Sequence, residues 1–331
     1  MEKVNKILAV NFGGIGDEIL FLPALISLKK EFPNSEITLA LEPRSKGVKD
    51  LTNVIDDLIL VDIKNKNKYI ELLKFIFMAR MKNFDLAITA GGNKFMSIIL
   101  FLTGAKKRYG YDCGTISQKL LTKAVKLNKQ QYAAKMYHDL VTPITSNITE
   151  LPQINVPVQE KLANTVLIHP GVSKMSVQKG MIKTIDAKTW AETIDLLANA
   201  GKRVMLVSGP DDKECIETIL KTVKTNNFEN LYGKTKNLRD LAELIGKAEI
   251  FLCSDSAPLH VAVAMGTKTF AIFGPTDDKK LIPQNVTAIK ANDTCPLKPC
   301  LWDRRQTTCE KLDCLKITAD MISKIILNTD A

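Results

Sequence analysis

The fold of this 331-residue chain is decided near its start, by the stretch Ile7-Leu8-Ala9-Val10-Asn11-Phe12-Gly13-Gly14-Ile15-Gly16-Asp17. Residues 7–10 are a short, continuous apolar run, which is typical of a parallel strand buried on both faces. The glycines interrupt that run, and Asp17 then opens a helical pattern that continues to about residue 32. A strand, a glycine loop and a helix in this order predict the first half of a βαβ unit.

The same alternation of strands and helices continues along the rest of the chain. Further strands are predicted at residues 37–41, 58–61, 85–89, 166–168, 204–207, 250–253 and 269–273. Further helices are predicted at residues 69–81, 95–102, 187–200, 237–246, 256–265 and 318–327. Because alternating strands and helices form parallel sheets, the predicted fold class is α/β, with two Rossmann-like, doubly wound domains and a cleft between them.

The periodicity lapses at residues 145–164, where Pro152 and Pro157 lie, and we place the domain boundary in this stretch. The predicted domains are residues 1–150 and residues 151–316, the latter with a four-cysteine segment at 295–314. Residues 317–331 hold the C-terminal helix, which we expect to pack back toward the N-terminal domain.

The composition is ordinary for a globular protein, with 45% hydrophobic and 25% charged residues. The net charge of +10 reflects either a lysine-rich proteome or a preference for anionic partners: nucleotide phosphates, an acidic glycolipid or a membrane surface. Nucleic acid is not an expected partner, because no stretch interleaves Lys and Arg with aromatic residues. The one compact basic cluster, at residues 106–108, is equally well explained by a solvated turn.

The apolar runs of the chain are too short for a signal peptide or a membrane span; the longest lie at residues 19–28 and 95–102. Seven cysteines, an odd number, suit a reducing compartment better than a disulfide framework. We therefore expect a cytoplasmic protein, with peripheral contact at the inner membrane face left open.

The first candidate site is the loop of Gly13, Gly14 and Gly16, at the carboxyl end of the first strand. Open α/β sheets place their ligands at such strand ends, although the spacing matches neither the dinucleotide fingerprint nor the P-loop. Asp17 is the one carboxylate of the loop. It is equally compatible with a helix cap and with a general base.

Two further motifs follow strands of the second domain. In residues 253–260, Asp255 and Ser256 can cap a helix whose N-terminal N–H groups favour phosphate. His260 lies one turn further on, and by itself it is also compatible with an ordinary core histidine. The loop after residue 169 is basic and hydroxyl-rich, and it contains Gly171, Ser173, Lys174, Ser176, Lys179 and Lys183.

That loop suits a diphosphate, with a solvated lysine loop as the alternative. Asp211 is a further polar residue at a strand end of the same domain. A nucleotide site in one domain that faces a single candidate base, Asp17, in the other is the layout of a transferase.

Four cysteines near the C-terminus have a regular spacing: Cys295, Cys300, Cys309 and Cys314. Four thiolates within so short a segment could form a tetrahedral site for structural zinc or iron. Reduced structural cysteines are the main alternative, and redox or disulfide chemistry is a third.

The motifs together resemble glycosyltransferase family 9, the heptosyltransferases of lipopolysaccharide core assembly. Residues 7–17 with 22–25 resemble the opening signature of the family, and residues 255–262 with Gly266 and 273–277 resemble its donor-site signature. Residues 104–105, 108–111 and 169–171 also fit. Many members carry a similar cysteine cluster, and some relatives that glycosylate proteins hold iron with one.

The resemblance implies a GT-B fold, a nucleotide-diphosphate-sugar donor with ADP-heptose favoured, a glycolipid or other glycan acceptor, inversion at the anomeric carbon, and no catalytic cofactor or metal. By position, it implies that Asp17 is the general base, Lys183 meets the donor phosphates and Asp211 meets the nucleoside. The residues implied to line the diphosphate and sugar are Asp255, Ser256, Ala257 and His260.

The chain departs from the family pattern at a few positions. Ile185 and Asp186 stand where Trp-Pro is usual, Ala257 replaces a glycine, and Asn11 replaces a frequent arginine. An alanine at 257 demands an ordinary backbone angle. Two alternatives to a transferase stay open: a sugar-nucleotide epimerase of GT-B type, and a non-catalytic protein that binds sugar nucleotides or glycans.

Overall fold

The computed structural model describes residues 3–157, 160–172, 174–292, 295–301 and 309–328. The chain divides into two compact units, Met1–Asn155 and Val156–Ala331, which are called the first and the second unit below. The four-cysteine segment and the C-terminal helix belong to the second unit.

The first unit is built around a six-stranded parallel sheet with strand order β3-β2-β1-β4-β5-β6. Its strands are β1 Lys6–Val10, β2 Glu36–Leu41, β3 Asp57–Leu60, β4 Leu86–Thr89, β5 Lys107–Tyr111 and β6 Lys123–Val125. Its α-helices are α1 Ile15–Glu31, α2 Lys68–Lys82, α3 Lys94–Leu102, α4 Thr115–Leu120 and α5 Ala133–His138. Short 3₁₀ helices cover Pro43–Leu51 and Asp139–Val141.

The second unit repeats this plan, with strand order β12-β11-β10-β7-β8-β9. Its strands are β7 Leu162–His169, β8 Arg203–Leu206, β9 Phe228–Asn230, β10 Ala248–Ser254, β11 Lys268–Ile272 and β12 Thr287–Ile289. Its α-helices are α6 Lys174–Gln178, α7 Ala187–Asn199, α8 Lys213–Thr222, α9 Leu238–Lys247, α10 Ala257–Met265, α11 Asp278–Leu281 and α12 Ala319–Leu327. Short 3₁₀ helices cover Pro210–Asp212 and Asp313–Leu315.

Burial explains why the apolar runs form the central strands. Residues 7–10 are completely inaccessible in β1, which pairs in parallel with β2 on one side and β4 on the other. Helix α1 covers this sheet and packs on α5, where the rings of Phe21 and Tyr137 meet edge to face with centroids 5.7 Å apart. The predicted opening of strand, glycine loop and helix is therefore confirmed.

The core of the second unit also settles where the C-terminal helix packs. Ile322 and Ile326 of α12 are fully buried in the same apolar cluster as Trp190 of α7. The apolar stripe of this helix therefore packs on a stripe of α7 in its own unit, and contact of the helix with the N-terminal domain stays a prediction of the sequence.

Some elements have no clear periodic signal in the sequence. Residues 106–108, which a solvated turn could explain, include the start of β5, and Arg108 there donates hydrogen bonds to the carbonyls of Leu120 and Ala105 at 2.8 and 2.6 Å. Strands β6, β9 and β12 span three residues each, too few to show an alternation of polar and apolar residues. Within the described ranges, none of the helices combines the length and the apolar character needed to span a bilayer.

Candidate functional site

Each sheet has one point where the strand order reverses, and both points carry predicted site residues. In the first unit this point lies between β1 and β4, and in the second unit between β7 and β10. Ligands of open α/β sheets bind outside the carboxyl ends of the strands at such points. The loop before α1 follows β1, while the loop of Gly171 and Lys183 follows β7 and Asp255 follows β10.

The Asp17 carboxylate is a helix cap in this structure, and it also has a second partner. Its Oδ2 accepts the backbone N–H of Gly14 at 2.8 Å, which fixes the first turn of α1. Its Oδ1 accepts the hydroxyl of Tyr137 at 3.3 Å. The residue is half-buried rather than enclosed. Asp17 therefore caps α1, and its carboxylate is still partly open to solvent.

The glycines of this loop differ in what they do. A Cβ at Gly13 would lie 2.4 Å from the Cβ of Asp17, so a side chain there would displace Asp17. At Gly14 the nearest atom would be the Asp17 carboxylate at 3.7 Å, an ordinary contact. Gly16 is the second residue of α1. Gly13 is thus the position at which glycine is needed.

Two buried groups adjoin Asp17. Burial raises the pKa of Glu18 well above its usual value, and the charge of Asp17 adds to this, so that Glu18 favours its neutral form. Burial, followed by the charge of Asp17, also holds the pKa of the Tyr137 phenol well above its ordinary value, so the phenol stays a hydrogen-bond donor. The sequence analysis did not identify Tyr137, because this residue lies 120 positions from Asp17 and belongs to none of the motifs.

A second missed group is an ion-pair cluster beside the glycine loop. The nearly inaccessible Glu42 carboxylate accepts Arg44 Nε at 2.6 Å and Lys64 Nζ at 2.8 Å. A Cβ at Gly14 would lie 3.8 Å from the terminal nitrogens of Arg44. The loop that holds Asp17 therefore has a cation next to it.

In the second unit, Lys183 and Asp255 are brought together as an ion pair. Lys183 Nζ lies 3.3 Å from Asp255 Oδ2, which also accepts the hydroxyl of Thr276 at 2.7 Å. The Asp255 side chain is only 4% exposed whereas that of Lys183 is 22% exposed, so the ammonium is the accessible member of the pair. Thr276 lies in the motif of residues 273–277 but was not singled out as a site residue.

The ion pair lies just before the N-terminus of α10. Ser256 is the N-cap residue, and its side chain makes no capping hydrogen bond. Ala257 is the first helical residue, so the alanine found in place of a glycine sits in an ordinary helical conformation. His260 is buried within the same helix. Helix N-termini present N–H groups and a partial positive charge to anions.

Hydrogen bonds hold the end of the loop that carries Lys183. Thr184 Oγ1 lies 2.7 Å from Ser254 Oγ and 2.9 Å from the carbonyl of Pro170, and it accepts Trp190 Nε1 at 3.1 Å. Since Trp190 is fully buried, this network ties the loop to the core and to β10. Because these hydrogen bonds hold Thr184, they also fix the backbone position of the neighbouring Lys183.

Gly171 and Asp211 are both neighbours of the buried residue Asp212. A Cβ at Gly171 would lie 2.1 Å from the carboxylate of Asp212, so glycine is needed for that carboxylate to approach. Asp212 accepts Ser208 Oγ at 2.6 Å and the N–H of Gly209 at 3.2 Å, whereas Asp211 is exposed beside it.

Burial lowers the pKa of His169, and the charge of Asp212 opposes this. Ser173 lies outside the described residues.

The four cysteines of the C-terminal segment line a single cavity of about 810 Å³. Burial raises the pKa of the Cys300 thiol, and the charges of Cys295 and Cys309 add to this. Among the described residues, no three His, Cys, Asp or Glu side chains are placed to hold one metal ion. The structural zinc or iron ion stays a prediction of the sequence. All seven cysteines lie in the described ranges, and no disulfide joins them.

Comparisons with known proteins identify the family. The sequence profile of glycosyltransferase family 9 (heptosyltransferase) matches residues 73–311, more than half of the chain. Lipopolysaccharide heptosyltransferase 3 of Escherichia coli is 27% identical over 280 residues, which cover 79% of this chain and 81% of that protein.

Two solved structures share the fold over nearly their whole length. A glycosyl transferase family 9 protein from Veillonella parvula matches with a TM-score of 0.76 at 21% identity, covering 100% of this chain and 99% of that one. The E. coli heptosyltransferase WaaC, solved with ADP-2-deoxy-2-fluoro heptose, matches with a TM-score of 0.75 at 18% identity, covering 98% and 99%.

The two units are Rossmann-like, each with a parallel six-stranded sheet, and the chain matches a solved family 9 structure over its whole length. These two findings place the fold in the GT-B class of glycosyltransferases. The predicted fold class is therefore confirmed. Within that class, the chain belongs to glycosyltransferase family 9.

Proposed function

We propose that this glycosyltransferase moves heptose from ADP-heptose to a hydroxyl of a lipopolysaccharide core glycolipid, with inversion at the anomeric carbon. The names of its relatives support the acceptor class, since the E. coli protein is a lipopolysaccharide heptosyltransferase. The WaaC structure was solved with an ADP-linked fluoroheptose, which supports the donor.

The observation that carries the proposal is the pairing of Lys183 with Asp255 in front of α10. The buried Asp255 carboxylate, held by Thr276, orients an accessible ammonium toward the end of the sheet. Next to it, the N-terminus of α10 offers backbone N–H groups. Positive charge from these two sources is suited to the departing ADP diphosphate, and transfer is proposed to need no catalytic metal.

Asp17 is the proposed general base, which takes the proton of the acceptor hydroxyl as that oxygen attacks the anomeric carbon. One carboxylate suffices, because inversion is a single displacement without a covalent intermediate. General-base catalysis contributes about 10²- to 10⁴-fold. The hydrogen bonds from Gly14 and Tyr137 hold the carboxylate in a fixed orientation before the acceptor arrives.

The test is Asp17→Asn, because an asparagine oxygen can still accept the N–H of Gly14 and keep the helix cap. Turnover should fall by about 10²-fold or more, while ADP still raises the melting temperature as in the wild type. Asp240→Asn is the matched control, since Asp240 likewise lies in the first turn of its helix and accepts a backbone N–H, from Lys236 at 2.8 Å. Wild-type turnover of Asp17→Asn would reject the base.

The donor is tested separately, by thermal stabilisation with ADP, GDP, UDP and CDP. ADP should give the largest stabilisation, and Lys183→Met should reduce it. Conversion of ADP-heptose in the absence of any acceptor would indicate an epimerase and contradict transfer.

A further inference from the structure

Helix α2 of the first unit exposes large apolar side chains along one face. Tyr69, Leu73 and Phe77 are each 66% exposed, and Met81 is 73% exposed. These residues are four positions apart, so they form a continuous ridge on the helix. Ile70, 52% exposed, lies beside them.

The opposite face of the same helix packs into the core of the first unit. Leu72, Phe75 and Ala79 are buried in the apolar cluster of the first unit. A helix that is apolar on both faces has more hydrophobic surface than its own domain can bury. The exposed ridge therefore needs another explanation than folding of this unit.

Helix α3 extends the exposed surface. Phe101 and Leu102, at its C-terminal end, are 49% and 38% exposed. Arg80 of α2 donates a hydrogen bond to the carbonyl of Leu102 at 3.2 Å, which places the two helix ends side by side. We call this surface the α2–α3 face, consisting of Tyr69, Ile70, Leu73, Phe77, Met81, Phe101 and Leu102.

The sequence around the α2–α3 face is strongly basic. Between residues 64 and 82, Glu71 is the single acidic residue, whereas the basic residues are Lys64, Lys66, Lys68, Lys74, Arg80 and Lys82. Three of these form ion pairs, Lys64 with Glu42, Lys74 with Glu71 and Lys82 with Asp57, so the excess positive charge comes from Lys66, Lys68 and Arg80. Lys68 and Lys74 are exposed, and the Lys68 ammonium lies 5.1 Å from the centroid of the Tyr69 ring. Exposed apolar side chains flanked by lysines are the composition of helices that lie in the interface of an anionic membrane.

We propose that the α2–α3 face docks on the surface of an anionic lipid bilayer. The apolar ridge enters the boundary between headgroups and acyl chains, and the flanking lysines meet the lipid phosphates. A second copy of the chain is a poor occupant, because a two-fold contact would place the same basic residues opposite each other. The inference concerns a surface, and it does not depend on which sugar is transferred.

The test uses the full chain and sedimentation with vesicles, either of phosphatidylcholine alone or of phosphatidylcholine with phosphatidylglycerol. The double variant Leu73→Glu/Phe77→Glu should lose at least tenfold in binding to the anionic vesicles. Ile148→Glu is the matched control, since Ile148 is 72% exposed outside these helices, and it should bind as the wild type does. Lys66→Gln/Lys68→Gln should weaken binding several-fold, and added salt should weaken wild-type binding.

Three results would overturn the proposal. They are equal binding of the wild type to both kinds of vesicle, undiminished binding of the Leu73→Glu/Phe77→Glu variant, and a lower mass of that variant than of the wild type in sedimentation velocity. The last would assign the face to a second copy instead. Equal melting temperatures of the variants and the wild type exclude misfolding, which these exposed positions should not cause.

Discussion

The hydroxyl of Tyr137 donates a hydrogen bond to the Asp17 carboxylate at 3.3 Å, across 120 positions of sequence. Asp17 opens α1, and Tyr137 lies in α5, which packs against α1. The proposed base is therefore oriented by a helix that shares no motif with it.

Tyr137→Phe removes this hydrogen bond and keeps the aromatic contact with Phe21. A hydrogen bond of this length should contribute about 1 kcal/mol, so we expect turnover to fall by about three- to tenfold with little change in ADP affinity. Steady-state kinetics check this. Tyr132→Phe is the control, because the buried Tyr132 hydroxyl has no hydrogen-bond partner within the described residues. Equal turnover of both variants would show that Tyr137 does not position Asp17.

Gly13 and Gly14 provide a matched pair of substitutions. Gly13→Ala should displace Asp17, because its Cβ would lie 2.4 Å from that of Asp17, and a shift of about 1 Å in a catalytic group can cost about 10²-fold in rate. Gly14→Ala meets the Asp17 carboxylate at 3.7 Å and should keep most activity. Comparable losses in the two variants, measured as kcat, would contradict this account of the loop.

Glu18 should make stability depend on pH. Its pKa is raised in the folded protein by burial, so above its unfolded value of about 4.5 the unfolded chain ionises while the folded chain stays protonated. Stability is therefore fully present at low pH and is lost as the pH rises toward the folded pKa. The melting temperature of Glu18→Gln minus that of the wild type should increase from pH 4 to pH 8. A constant difference would show that Glu18 is not held neutral.

Lys183→Met should weaken ADP binding by about ten- to a hundredfold, because it removes the proposed charge-assisted contact with the diphosphate and leaves the Asp255 charge behind. Titration calorimetry measures this. Lys188→Met is the control, since Lys188 is exposed on α7, outside this loop, and should leave the affinity unchanged. If the two variants bound ADP equally well, the phosphate contact would have to be assigned elsewhere.

Excess EDTA should leave the transfer rate unchanged, since Lys183 and the N-terminus of α10 are proposed to supply the positive charge for the diphosphate. A rate lost with EDTA and restored by Mg²⁺ would contradict that proposal.

The four cysteines are tested independently by metal analysis of protein purified without chelator. Stoichiometric zinc or iron would support the structural ion predicted from their spacing, and substoichiometric amounts of both would end that prediction.

The sequence allowed the fold to be predicted because the central strands are continuous apolar runs. Residues 7–10 and 250–253 are buried on both faces of their sheets and carry an unmistakable pattern. The short edge strands β6, β9 and β12 could not be found in this way, since pairing with a neighbour rather than local composition makes them strands.

The candidate site was predictable only where it is local in sequence. Asp17, Asp255 and Lys183 stand in or near strand-end motifs, whereas Tyr137 joins its neighbour Asp17 through folding alone. Glu42 directly follows β2, so its position at a strand end was a signal that we did not use. Asp212 did leave a signal: it follows Gly209 by three positions, just as Asp17 follows Gly14, and each carboxylate accepts the N–H of its glycine. Its neighbour Asp211 is also an aspartate just after Gly209, but it is exposed, and the N–H of Gly209 is donated to Asp212 instead.

The proposed reaction is the transfer of a heptose from ADP-heptose to a glycolipid acceptor with inversion. The most direct measurement is to incubate the full chain with ADP-heptose and lipopolysaccharide that lacks the core heptose, and to analyse the products by mass spectrometry and NMR. We predict stoichiometric ADP and an acceptor extended by one heptose, whose anomeric configuration is opposite to that of the donor. An unextended acceptor, or a product with the configuration of the donor, would contradict the account.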